Sequence, residues 1–142
     1  MKQNIAILGT SGKINKEVGK LLADKLGMHY LDYDEYIEYL ALMPKREILK
    51  SNSKSDFKAY QVSKLDGLSD YENSLFALPS GICNTSSEVS IIAKGAYTIY
   101  LSKRRVCSKI TSQCLLVLDT ERYNTSDVIV DKIIEKLGEI YE

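Results

Sequence analysis

The chain has 142 residues, 44% hydrophobic and 27% charged, proportions that suit a single compact domain, 1–142, with its own core. Its 19 Lys and Arg balance 19 Asp and Glu, so charge gives no case for a nucleic-acid or membrane-surface partner. No apolar run approaches the ~20 residues that span a bilayer, and the opening MKQNIAILG is too short in apolar residues for a signal peptide.

Asn4 to Leu8 (NIAIL) is a continuous apolar run, the mark of a strand buried on both faces. Lys16 to Leu26 follows as a helix, with Val18, Leu21, Leu22 and Leu26 at helical spacing and Gly27 as its stop. Met28 to Leu31 reads as a second strand, and Asp34 to Leu42 as a helix closed before Pro44. Ser51 to Ser55 is a polar connector, followed by a helix from Asp56 to Leu65 with Gly67 beyond its end. Ser74 to Leu78 is a strand that leads into a Pro-Ser-Gly turn, and Ser87 to Lys94 is a helix stopped by Gly95. Tyr97 to Leu101 and Cys114 to Leu118 are strands, and a last helix runs from Ser126 to Leu137 with Gly138 at its end. Strands alternating with helices over short loops predict an α/β fold, a parallel sheet wrapped by helices.

Three scattered cysteines, Cys83, Cys107 and Cys114, form no CxxC pair and indicate neither zinc nor a disulfide framework. They read as buried reduced thiols of a cytoplasmic protein. His29, the one histidine, excludes paired-histidine metal sites and reads as structural. Tyr30, Tyr33, Tyr36 and Tyr39, spaced by three, are expected to pack with their hydroxyls reaching water.

ILGTSGKINKEVGKLLADKLG, from Ile7 to Gly27, nearly spells a phosphate-binding loop. The working pattern is G-x-x-x-x-G-K-[ST] between strand and helix. Its glycines let N–H groups curl around phosphates, its lysine reaches the outer phosphates, and its hydroxyl binds magnesium. Counted from Gly9, the pattern demands Gly-Lys-Ser/Thr at 14 to 16, where the chain has Ile14, Asn15 and Lys16. The visible pair Gly12-Lys13 comes too early to open the helix correctly. Gly9, Gly12, Lys13 and Lys16 are the candidate phosphate contacts. Three readings stay open for this loop: a helix terminus that binds nothing, weak anion binding to its bare N–H groups, and Lys13 or Lys16 as a substitute ammonium.

The same stretch, continued through DYDEYIE, resembles the opening of the shikimate kinases. Val18, Gly19, Leu22, Ala23, Leu26 and Gly27 keep that family's VGxxLAxxLG pattern, and Asp32, Asp34 and Glu35 keep its D-x-D-E. The resemblance implies that Asp32 helps hold magnesium and that Asp34 binds hydroxyls of a shikimate-like substrate, which also makes Asp34 the candidate catalytic residue. Asp32 and Asp34 equally suit the cap of a helix. Where the family has Phe-Arg for the substrate carboxylate, this chain has Phe57-Lys58, keeping the charge but losing the bidentate fork. Where the family has Gly-Gly-Gly lining the substrate, it has Pro79, Ser80 and Gly81, and Pro79 removes a backbone donor. After Ser102 the segment KRRVCSKITSQ replaces a long arginine-rich lid, with Lys103, Arg104 and Arg105 reading as a solvated turn.

The resemblance implies a three-layer P-loop kinase-like fold with a five-stranded parallel sheet of order 2-3-1-4-5 and the lid deleted. Three functions stand. The leading one is an inactive kinase scaffold that binds a small anionic or polyol ligand or a partner, with no cofactor held tightly. The second is a kinase that phosphorylates a shikimate-like polyol with Mg·ATP. The third is a structural protein, a homodimer joined through the surface that the missing lid uncovers.

Overall fold

The structure is a computed structural model, and it describes residues 3–9, 11–103, 108–123 and 125–141. Five parallel strands make one sheet: β1 (Ile5–Gly9), β2 (His29–Asp32), β3 (Ser74–Ala77), β4 (Tyr97–Ser102) and β5 (Leu116–Asp119). Their order is β2-β3-β1-β4-β5. The helices are α1 (Gly12–Leu26), α2 (Tyr33–Ala41), α3 (Lys45–Ser51), α4 (Lys54–Ser63), α5 (Ser86–Ala93), α6 (Ser108–Thr111) and α7 (Ser126–Tyr141).

Period-two alternation in the central strand divides the core. Ile5 and Ile7 of β1 face one side, with Val18 and Leu22 of α1 and Ile129, Val130 and Ile133 of α7. Ala6 and Leu8 face the other, with Tyr33 and Ile37 of α2, Ile48 of α3, Phe57 of α4 and Val89 of α5. Val18 and Leu22 are 0% exposed, and burial of each contributes about 1.5–3 kcal/mol. At the N-terminal edge of the sheet, Asn4 Nδ2 donates to the carbonyls of Tyr71 (2.8 Å) and Gly95 (3.1 Å), and its Oδ1 accepts the Ser74 N–H (3.0 Å).

The chain leaves β1 for β2 on one flank and returns from β3, past β1, to β4 on the other. In open parallel sheets this reversal of direction opens a crevice at the carboxyl ends of the strands. Gly9 lies opposite Leu101 there, and Asp32 lies opposite Ala77.

Several expectations need correction. α1 opens at Gly12, four residues before Lys16, because Ser11 Oγ accepts the Ile14 N–H (3.3 Å) and caps it. Gly12-Lys13 is therefore the true start of that helix. Residues 45–51 form α3, absent from the sequence reading, and only Asn52 and Ser53 separate it from α4. α4 ends at Ser63, and a 3₁₀ turn, Leu65–Asp70, carries the chain through Gly67. α7 runs through Gly138 to Tyr141, since a glycine inside a helix costs only about 1 kcal/mol against a well-packed apolar face. The Tyr33 hydroxyl does not reach water: the side chain is 0% exposed and donates to the Gln61 carbonyl at 2.6 Å.

His29 is exposed at the start of β2, with its backbone N–H on the Asn73 carbonyl (2.9 Å). Cys83 is buried, Cys114 is half-buried, and both are free thiols; Cys107, Arg104 and Arg105 lie outside the described residues. Among the described residues no helix is long and apolar enough to cross a membrane.

Candidate functional site

The loop after β1 delivers three consecutive side chains, Ile14, Asn15 and Lys16, from the first turn of α1. Asn15 points inward. It shares the buried face of α1 with Val18, Gly19 and Leu22, the i, i+3, i+4 and i+7 positions of one stripe. Its Nδ2 donates to the Leu78 carbonyl at 2.8 Å and its side chain is 0% exposed. That carbonyl can only accept, so the amide orientation is fixed and Oδ1 faces the other way, buried and without a partner. A Cβ built on Gly9 would lie 3.1 Å from this Oδ1 and 2.1 Å from the Leu101 carbonyl oxygen. Gly9 is therefore required by the close approach of β4. The gap bounded by Ser11, Ile14, Asn15, Leu101, Lys103 and Thr120 totals about 150 Å³ and has no room for a water molecule.

Lys16 points toward β2. Its ammonium lies 3.3 Å from Asp32 Oδ2 and 2.9 Å from Asp34 Oδ2. Asp32 is the N-cap of α2, and its Oδ1 accepts the Asp34 N–H at 2.9 Å. Asp34 Oδ1 is buried and unpartnered. The hydrogen bond to Asp34 raises the Lys16 pKa above the usual lysine value against the opposing effect of desolvation, and the charges of both aspartates add to it. Tyr30, beside this pair, is pushed up to about 12 by burial first and by the Asp32 carboxylate second.

The other residues singled out in the sequence are less engaged. Lys13 and Lys58 are exposed, and neither forms an ion pair among the described residues. Gly81 is exposed with φ +95°, in the turn after β3. Gly12 sits against that turn, where a Cβ would lie 3.3 Å from the Ser80 nitrogen and 3.6 Å from Pro79 Cα. The structure thus joins the loop, the Pro-Ser-Gly turn and, through Lys16, both aspartates. No hydrogen bond or ion pair among the described residues ties Lys58 to them.

The residues fit magnesium and a polyphosphate poorly. Asp32 and Asp34 already share an ammonium, the magnesium hydroxyl is replaced by Lys16, and the lysine position is an amide turned into the core. No group of three or more His, Cys, Asp or Glu among the described residues could hold a metal ion. Two features escaped the sequence reading: Asn15 as a core residue and Lys16 as the partner of both carboxylates. The spacing of Asn15 from Val18 and Leu22 carried the first signal, while the second needs α1 and β2 placed side by side. Recesses of about 400 and 450 Å³ lie at the opposite edge of the sheet, around Gln3, Asn4 and Tyr97, and hold none of these groups.

Known proteins share this fold. A shikimate kinase of Alkaliphilus oremlandii is 32% identical over 101 residues, a match that covers 71% of this chain and 60% of that relative. A shikimate kinase of Sulfurihydrogenibium is 22% identical over 140 residues, covering 99% of this chain and 79% of its own. Shikimate kinase from Acinetobacter baumannii, solved in complex with shikimate, superposes with a TM-score of 0.81 at 16% identity, over 98% of this chain and 94% of that one. The shikimate kinase family model matches residues 10–113, most of the sequence, and the chain belongs to the shikimate kinase family.

Proposed function

We propose that this chain keeps the shikimate kinase scaffold without phosphoryl transfer and serves as a binding module for a small polyol or anionic ligand or for a protein partner. The observation that carries the reading is Asn15. At the position where the motif places its phosphate-reaching lysine stands an uncharged side chain, 0% exposed and bonded to the Leu78 carbonyl. Phosphoryl transfer depends almost wholly on positioning and on charge set against the phosphates. Loss of one preorganised donor costs about 10²–10³ in rate. Here the loop lysine, the hydroxyl and the carboxylate-binding arginine are replaced together, and the β4–β5 connection is only Lys103 to Leu115. Such losses do not add simply, but they leave little catalysis.

The test is a thermal melt with Mg·ATP, with shikimate and with both, beside a coupled assay for ADP. A ligand at 100 times its Kd stabilises by about 2.7 kcal/mol, which raises the melting temperature of a domain this size by roughly 5–10 °C. The proposal expects no shift with Mg·ATP and no ADP release. A shift with shikimate alone identifies the small-ligand role. Shikimate-dependent ATP turnover rejects the proposal in favour of an active kinase, and a concentration-dependent melting point without ligand points to the homodimer.

A further inference from the structure

Asp32 and Asp34 are both well shielded, their side chains only 12% and 19% exposed. Two carboxylates drawn this close repel unless a positive charge lies between them. A divalent cation supplies such a charge, at the cost of capturing and partly dehydrating a free ion. An ammonium tethered to α1 supplies it from within the chain. Lys16 does so at the one loop position where the motif places a magnesium ligand. Three of the four carboxylate oxygens are already engaged. Asp32 Oδ1 takes the Asp34 N–H, and Asp32 Oδ2 and Asp34 Oδ2 take the Lys16 ammonium. A magnesium ion would have to displace that ammonium or sit against its charge, with no hydroxyl from the loop to complete its oxygen shell.

We infer that Lys16 is a built-in counter-ion standing in the place of the divalent cation, so that the repulsion between the two carboxylates is relieved from within the chain and the crevice takes its ligand without a metal. Metal independence is separate from the absence of phosphoryl transfer, because a chain that transfers nothing can still bind magnesium, and its readout is ion binding.

The full chain is titrated with Mn²⁺ and free ion is followed by electron paramagnetic resonance, with Mg²⁺ as competitor. Melts in EDTA and in MgCl₂ at matched ionic strength accompany it. The unsubstituted chain is expected to leave Mn²⁺ free and to melt alike in both buffers. Lys16→Ser, which removes the ammonium and restores the hydroxyl, melts lower in EDTA and regains stability with the ion. At 100 times the Kd the regained shift is roughly 9 °C. Asp32→Asn in the Lys16→Ser background abolishes that gain. Mn²⁺ binding by the unsubstituted chain as tight as by Lys16→Ser overturns the inference. So does a Lys16→Ser chain that takes up no ion. Should Lys16→Ser not fold in EDTA, Lys16→Gln carries the test, with an ion-dependent rise in melting temperature supporting the inference and its absence overturning it.

Discussion

Replacing Asn15 with aspartate changes one group and almost no volume. Nδ2, which donates to the Leu78 carbonyl at 2.8 Å, becomes a carboxylate oxygen facing another acceptor at a site that is 0% exposed. An ionised carboxylate cannot remain there, so the folded chain holds it protonated, and the O–H restores a donor for Leu78. The cost at pH 7 is that of protonating an acid with an ordinary pKa near 3.9, about 1.36 kcal/mol per pH unit and therefore about 4 kcal/mol. The sign follows from proton counts. The folded variant binds a proton that the unfolded chain has lost, so stability is nearly that of the parent below pH 4 and falls as pH rises toward 7. With about 2.1 cal/mol/K of unfolding entropy per residue, 142 residues convert the full cost to a melting-temperature drop of roughly 13 °C. Urea unfolding of Asn15→Asp and the parent between pH 4 and 7.5 measures the difference directly. Parallel curves, or a loss below about 1 kcal/mol at pH 7, would refute the buried-amide reasoning and return Asn15 to a solvent-facing loop.

Gly9→Ala places a Cβ 2.1 Å from the Leu101 carbonyl oxygen, which the β1–β4 ladder holds in place, and is expected to cost about 3 kcal/mol or more in a denaturant titration, with or without nucleotide. Leu42 is 87% exposed and holds φ +59° at the C-cap of α2, so Leu42→Gly is expected to stabilise by about 1 kcal/mol, seen as a higher melting temperature. The Cys83 thiol, 1% exposed, is pushed up to about 12 by burial, so roughly 10⁻⁴ of it is thiolate at pH 8; an aromatic disulfide reagent is expected to label it only after unfolding. For the same group, stability is fully present below the ordinary thiol value of 9.0 and declines as pH rises toward about 12, and Cys83→Ala flattens that alkaline limb in melts at pH 8 to 11.

Local chemistry made much of this protein readable from its residues. The runs NIAIL, SLFAL and YTIYL place apolar side chains at successive positions and so on both faces, which a strand covered on both sides tolerates, and each lies in the sheet within a residue or two of its expected bounds. Gly27 ends α1 in the left-handed conformation, as a glycine beyond an apolar stripe should. Helix ends without so plain a signal were misplaced. Gly138 has the same look as Gly27, yet α7 passes through it, because continuation was decided by packing. Lys45 to Ser51 has too little apolar periodicity to announce a helix, and its one buried side chain, Ile48, joins a cluster assembled from β1, β3, β4 and four other helices.

The candidate site divides the same way. That Asn15 and Lys16 stand where a kinase loop needs lysine and a hydroxyl follows from counting along the chain. What those two residues do instead depends on atoms distant in sequence: Asn15 meets Leu78, 63 positions away, and Lys16 meets carboxylates presented by the cap of α2. One-dimensional spacing fixes which face of a helix a side chain takes. Only the packed sheet, by setting β2 and β3 beneath α1, decided that one substituted residue became part of the core and the other a counter-ion.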